Sequence, residues 1–169
     1  MSSYEIVQMN KDNAIEYAKV NTLAWCQSYI GIIDQEFLAD INTKIDKTKD
    51  NLIKGLNDNN KKFLLKVNDK YVGIFKVGKS KYPDYEDYGE VGALYLLNET
   101  KKQGYGKILF ERAKEELVKM GYHKLIVGCL EKNPSNEFYK HMGCQFKEKR
   151  KVTIGKQQLN ENIYVIEHI

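Results

Sequence analysis

"NETKKQGYGKILFERA", residues 98–113, places two glycines one residue apart, among lysines, at the start of an evident helix. A glycine inside a helix costs about 1 kcal/mol relative to alanine. Two within three residues therefore mark a point where bare backbone is needed. The stretch follows the apolar run "EVGALYLL" and leads into Ile108, Leu109, Ala113, Leu117 and Met120, which share one helical face. A strand, a tight glycine turn and a helix N-terminus form an anion site. The first-turn N–H groups have no helical acceptor, and the helix dipole puts partial positive charge there. Lys101, Lys102 and Lys107 add full charges, and a pyrophosphate suits this geometry better than a single carboxylate. The Gly-x-Gly by itself carries little, since glycine at about 7% of residues yields one by chance in a chain of this length. The dinucleotide fingerprint fails because Leu109 occupies its third glycine position, and no Gly-Lys-Ser or Gly-Lys-Thr completes a P-loop.

Outward from this point the chain reads as one domain, residues 1–169, long enough to bury a core without disulfides or metal. "SYEIVQM" alternates like a strand, and Asn10 or Asp12 is placed to cap a helix through "NAIEYAKVNTLAWCQSYI" that Gly31 breaks. Ile15, Ala18, Thr22, Trp25, Cys26 and Tyr29 form its apolar stripe. Two more helices, "IDQEFLAD" and "KIDKTKDNLIKGLNDNN", precede a hairpin, "KFLLKV" and "YVGIFKV", turning at Asn68-Asp69. A tyrosine-rich loop leads to the strand "EVGALYLL". After the opening helix come a buried strand, "KLIVGCL", a short helix, "PSNEFYKHM", and two final strands. The order predicts an α/β fold, a central mixed sheet of about six to seven strands flanked by helices, parallel where the helix after Gly104 makes a crossover.

Composition narrows the function. Net charge is only +4 and Lys alternates with Glu, so nucleic acid is not the expected partner. No apolar run approaches the roughly 20 residues of a membrane span, and "MSSYEIVQMN" lacks the regions of a signal peptide, so a cytoplasmic address is expected. Cys26, Cys129 and Cys144 have no CxxC spacing and sit in apolar segments, as buried reduced thiols do. His123, His141 and His168 show no metal spacing, so no metal is expected.

The block "GEVGALYLLNETKKQGYGKILFERA" resembles the central motif of the GNAT family of acetyl-coenzyme A-dependent N-acetyltransferases, a "GELxALYV"-like strand followed by (Gln/Arg)-x-x-Gly-x-(Gly/Ala). "KNPSNEFYKHMGCQF" resembles that family's "NPxxxFYExLGGR" segment. "WCQSYIGIIDQEFL" is similar to the "SWxxAYxGIxPxxFL" of one subgroup, as is the tail "VTIGKQQLNENIYV". Two departures stand out: Lys101 replaces the Gln/Arg, and Lys102 the small residue after it, each keeping a donor near the phosphates.

The resemblance implies the GNAT acyl-CoA N-acyltransferase fold, acetyl-CoA as cosubstrate and direct transfer to a primary amine of a small molecule or peptide in a ternary complex. It implies that the backbone of Leu94, Tyr95 and Leu96 bonds the pantetheine arm, with the N–H near Leu94 as oxyanion donor. Lys101, Lys102, Gln103, Gly104, Tyr105, Gly106 and Lys107 would cradle the pyrophosphate. Tyr139 would protonate the departing thiolate, and Asn133 would bond the cofactor or fix the loop, against the plainer reading of a helix N-cap. Glu90 falls where some members hold the base for the amine, against the plainer reading of a strand-end carboxylate. A period of two puts residues 90, 92, 94 and 96 on one face. In "KYPDYEDYGE", acids alternate with Tyr82, Tyr85 and Tyr88, which suits a polyamine-like cation through charge and cation–π contact, with Tyr85 as a contact; a solvated loop is the plainer reading. Trp25 and Tyr29 are candidates for the acceptor site, although packing on the sheet suits Trp25 better. A homodimer paired through the last strands fits the pattern. The rival of another class is a non-catalytic acyl-CoA sensor with the same cradle, which would have no use for Tyr139.

Overall fold

The computed structural model describes residues 2–169. The chain runs β1 (Tyr4–Gln8), α1 (Ala14–Ser28), α2 (Gln35–Asn42), α3 (Ile45–Lys54), β2 (Lys61–Val67), β3 (Lys70–Lys79), β4 (Gly89–Val91) and β5 (Tyr95–Leu96). It continues with α4 (Tyr105–Lys119), β6 (Leu125–Leu130), α5 (Ser135–His141), β7 (Gln145–Ile154) and β8 (Gln157–Ile166). Strand order is β1-β2-β3-β4-β6-β8-β7, with β5 also paired to β3. All pairings are antiparallel except β4 with β6, the two strands that α4 connects. The mixed sheet expected from the sequence is present.

Local chemistry accounts for its pieces. Asn68 and Asp69 both have positive φ (46° and 65°), the type I′ geometry that matches strand twist in a two-residue hairpin. β6 is apolar on both faces because both are covered. Leu125, Val127 and Cys129 join the core under α4, where Leu109, Phe110, Ala113 and Leu117 are fully buried. Ile126 faces the other way, onto Tyr82, Tyr85 and Tyr88. The α1 stripe differs from expectation: the buried face comprises Ala14, Tyr17, Ala18, Val20, Thr22 and Ala24, because α1 packs on both β3 and α3. Asn10 does not cap α1 directly; its Oδ1 accepts the N–H groups of Asp12 and Asn13 in the turn before it.

The main correction concerns "EVGALYLL", which is two short strands, making the sheet eight-stranded. Lys76 of β3 donates its N–H to Ala93 O and accepts from Gly92 N, so two residues oppose one. This bulge shifts the register: Glu90 pairs with Gly78, whereas Leu96 pairs with Gly73. An extra residue flips every later side chain to the other face. Glu90 therefore shares a face with Tyr95, whereas Leu94 and Leu96 turn toward the core beneath α4. The expected common face of residues 90, 92, 94 and 96 does not exist.

Candidate active site

The bulge also opens the sheet. β4 and β6 pair only at Gly89–Leu125 and Glu90–Ile126, while β6 stays bonded to β8 as far as Leu130. Beyond Glu90 a cleft separates Gly92, Leu94 and Leu96 from Gly128 and Cys129. Ala93 accepts from β3 and Leu97 donates to it. By the alternation of an antiparallel pair, the N–H and C=O groups of Leu94 and Leu96 aim the other way, into the cleft. These are strand-like donors and acceptors with no strand beside them, a cost in a folded protein unless a ligand or water meets them.

At the mouth of the cleft stands the N-terminus of α4. Lys102 (φ 61°) and Gly104 (φ 88°) are both left-handed, so the chain coils before the helix starts. The backbone N–H groups of Lys102 through Lys107 have no acceptor among the described residues. The two glycines of the opening stretch have separate tasks. Gly104 supplies a positive φ that a side chain resists. A Cβ on Gly106 would sit 3.2 Å from the Phe138 ring, so this glycine lets α5 approach α4 closely. The Tyr105 ring is core, so only its backbone can serve the cradle. Lys101 lines the cleft, with Nζ donating to Asn98 Oδ1 at 2.8 Å, and burial lowers its pKa.

Three tyrosines line the cleft: Tyr29 from the end of α1, Tyr95 from β5 and Tyr139 from α5. The Tyr29 and Tyr95 hydroxyls bond each other at 2.8 Å. Burial raises the pKa of all three, so their hydroxyls keep their protons at neutral pH. Trp25 lies edge-on to Tyr29, with ring centroids 5.0 Å apart, and supports it without entering the cleft. Phe138 packs edge-on to Phe110. Phe138 is only partly buried, whereas the adjacent Tyr139, about 100° round the helix, both joins the core and lines the cleft.

Asn133 lines the cleft, and its Oδ1 accepts the Ser135 N–H at 2.9 Å in the turn before α5, whose N-cap position is Pro134. The sequence reading missed Asn136, buried behind it. Its Nδ2 donates to the carbonyls of Leu130 and Asn133, and its Oδ1 accepts from the Tyr164 hydroxyl at 2.7 Å. That network fixes the β6–α5 loop and so aims Tyr139.

Glu90 is only 7% exposed, buried rather than a surface strand end. Its Oε2 accepts the Lys81 N–H at 2.7 Å. Its Oε1 lies 3.8 Å from where a Cβ on Gly92 would stand, beside the bulge. The tyrosine-rich loop is different from what its composition suggests. Asp84 is paired to Arg150 (2.7 Å) and Asp87 to Lys124 (2.8 Å). Tyr85 donates to Glu148 and carries the Arg150 guanidinium over its ring, so it takes no part in the cleft. The cation sites at Asp84, Tyr85 and Asp87 are filled from within.

Among the described residues no cluster of His, Cys, Asp and Glu could hold a metal, and no helix is long and apolar enough to cross a membrane. The three cysteines are unpaired; Cys129 and Cys144 are buried.

Comparison with known proteins agrees with this arrangement. Residues 24–144 match the model of the acetyltransferase (GNAT) family. The chain is 30% identical over 131 residues to YuaI of Bacillus subtilis, described as an uncharacterized N-acetyltransferase, covering 73% of this chain and 70% of that one. Its fold is similar to that of the PaiA N-acetyltransferase of Thermoplasma acidophilum, solved with coenzyme A (TM-score 0.74, 20% identity, 94% of this chain and 98% of that one). It is also similar to YncA of Salmonella typhimurium, a putative acetyltransferase solved with acetyl-CoA (TM-score 0.67, 15% identity, 96% and 92%). A split sheet ending at an uncapped helix N-terminus, on a chain that matches the family over most of its length, makes this protein a member of the GNAT acetyltransferase family.

Proposed function

We propose that the protein acetylates a primary amine, with acetyl-CoA held along the cleft and the amine entering from the Glu90 side. As a member of its family it is an acetyl-CoA-dependent acyltransferase. The observation that carries the fuller reading is the alignment of two sets of free backbone groups, those of Leu94 and Leu96 and those of residues 102–107, whereas the Tyr95 backbone, expected to join the first set, is paired with Ile74 of β3. The first suits the amides of a pantetheine arm, and the second suits a pyrophosphate. Acetyl-CoA supplies the thioester whose acyl carbon is transferred.

The chain's own groups supply the rest. The Leu94 N–H, free beside the bulge, is the donor to the acyl oxygen. Glu90 takes the proton that the ammonium must lose, directly or through water; a free amine with a pKa near 10 is mostly protonated at neutral pH. A C–N bond forms, a C–S bond breaks, the amine loses a proton and the sulfur gains one. Tyr139 holds its proton firmly, because burial penalises the tyrosinate. It therefore serves the departing sulfur first as a hydrogen-bond donor and only then as a proton source.

Thiol release from acetyl-CoA in the presence of an amine panel tests this reading. Turnover that requires both substrates supports it. Acetyl-CoA binding with no amine-dependent thiol release would instead favour a sensor.

A further inference from the structure

The sheet face opposite α4 carries buried charge that the cofactor half of the cleft does not use. Glu90 on β4 and Glu161 on β8 are 7% and 8% exposed. They share one cation: Lys81 Nζ lies 3.9 Å from Glu90 Oε1 and 3.8 Å from Glu161 Oε1, both beyond hydrogen-bond length. That ammonium belongs to a side chain 59% exposed. The nearby Arg150 is committed to Glu148 and Asp84. Two carboxylates taken out of water against one loose, solvated partner leave an uncompensated negative charge, which proteins tolerate only with a reason.

A second, independent observation lies at the same spot. The Tyr82 hydroxyl, on a residue only 6% exposed, makes no hydrogen bond of good geometry among the described residues, and the Glu161 carboxylate is the acid beside it. It points at Gly128, as Glu161 does. A Cβ there would lie 2.1 Å from Tyr82 Oη and 2.4 Å from Glu161 Oε1. Gly128 is a glycine in the middle of a buried central strand, where glycine weakens the strand and marks a close approach. It also lines the cleft. Carboxylate and hydroxyl therefore meet over Gly128, itself a residue of the cleft lining, on the sheet face opposite α4, and both can accept from an ammonium.

We propose that Glu161 and Tyr82, over Gly128, bind a second ammonium of the acceptor, so that the substrate is a small di- or polyamine carrying no carboxylate near its amines. This rests on the acetyltransferase reading above. Glu90, nearer the bulge, receives the amine that is acetylated, and Glu161 receives the other. Lys81 holds the place of that second cation in the free protein and yields to it, its exposed side chain swinging into solvent.

The test uses protein saturated with coenzyme A, which cannot react, titrated in a calorimeter with 1,4-diaminobutane, butylamine and 4-aminobutyrate. Diaminobutane should bind at least about tenfold tighter than butylamine, and aminobutyrate weakest of the three, because a second carboxylate meets Glu161. Glu161→Gln should erase the preference for the diamine without changing coenzyme A affinity. Lys81→Met should tighten diamine binding, a direction that a merely structural lysine would not give. Tyr82→Phe removes an oxygen that makes no hydrogen bond of good geometry, and it tests the same pocket if Glu161→Gln fails to fold. Equal binding of the three probes, or a diamine preference that survives both Glu161→Gln and Tyr82→Phe, overturns the proposal. Failure of coenzyme A itself to bind would bring down the reading on which the pocket rests.

Discussion

The two halves of the cleft are built from different materials. The half proposed for the cofactor is mostly backbone: free amides at the bulge and at the start of α4, exposed by glycines and a left-handed lysine. The half proposed for the acceptor is side chain: Lys81, Tyr82 and Glu90 from one stretch and Glu161 from β8, distant in sequence. A backbone site needs only bare, uncrowded chain, so it can keep its form while the residues around it change. A side-chain site depends on each group, so it can be retuned one substitution at a time. Family membership therefore speaks to the first half, and acceptor choice is written in the second.

The comparison can be broken most forcefully at Tyr139, where the halves meet. Tyr139→Phe should lower kcat by about 100-fold or more, the scale of general acid–base assistance, while acetyl-CoA affinity stays constant. Steady-state kinetics beside calorimetry decides this. A similar loss in both would make the tyrosine part of the cofactor half. Gly128→Ala should act on the acceptor half alone. Its Cβ overlaps the Tyr82 hydroxyl on a buried ring that has little room to retreat. Overpacking of this kind costs about 1–3 kcal/mol, so the amine KM should rise about tenfold or more while that for acetyl-CoA holds. Gly104→Ala is the mirror test. Forcing a side chain to φ 88° should destabilise the fold by about 1–2 kcal/mol and weaken acetyl-CoA binding, with amine KM little changed.

Burial of Cys129 in the cleft wall and of Cys144 in the core gives a smaller effect, read as pH dependence. Desolvation pushes Cys129 and Cys144 from an ordinary 9.0 up to about 12. The unfolded chain releases these protons near pH 9 while the folded chain holds them. Stability is therefore fully present below about 9 and falls as pH rises toward 12, by about 1.4 kcal/mol per thiol for each unit. Urea unfolding at pH 8 and pH 10 measures the decline, and Cys144→Ala should flatten it. The smallest effect is expected at Lys101. Lys101→Ala should weaken acetyl-CoA binding only a few-fold, in a salt-sensitive way, because the backbone of the cradle remains.

How much of this was legible in the sequence follows from the same division. The open helix start at residues 102–107 could be read because glycines and cations stand in one continuous stretch. The hairpin at Asn68-Asp69, the crossover helix and the buried strand "KLIVGCL" were legible for the same reason, since each is local. The bulge was not, because one extra residue among Gly92, Ala93 and Leu94 leaves no compositional trace, yet it decides which way Glu90 faces. The tyrosine-rich loop misled because its neutralising partners, Arg150 and Lys124, lie far along the chain. Glu161 was invisible in "LNENIYV", one acid in an alternating strand. The available signal was Gly128, whose small size in an otherwise bulky central strand marks where other groups approach.

Cofactor and acceptor are, on this proposal, held by separable halves of one cleft. The direct measurement is calorimetric titration of acetyl-CoA into the wild-type protein and into the Glu90→Gln/Glu161→Gln double variant. Equal, saturable binding by both, with amine-dependent thiol release lost only in the variant, is the predicted result. Loss of acetyl-CoA binding in a folded double variant would contradict it, since the carboxylates would then belong to the cofactor half.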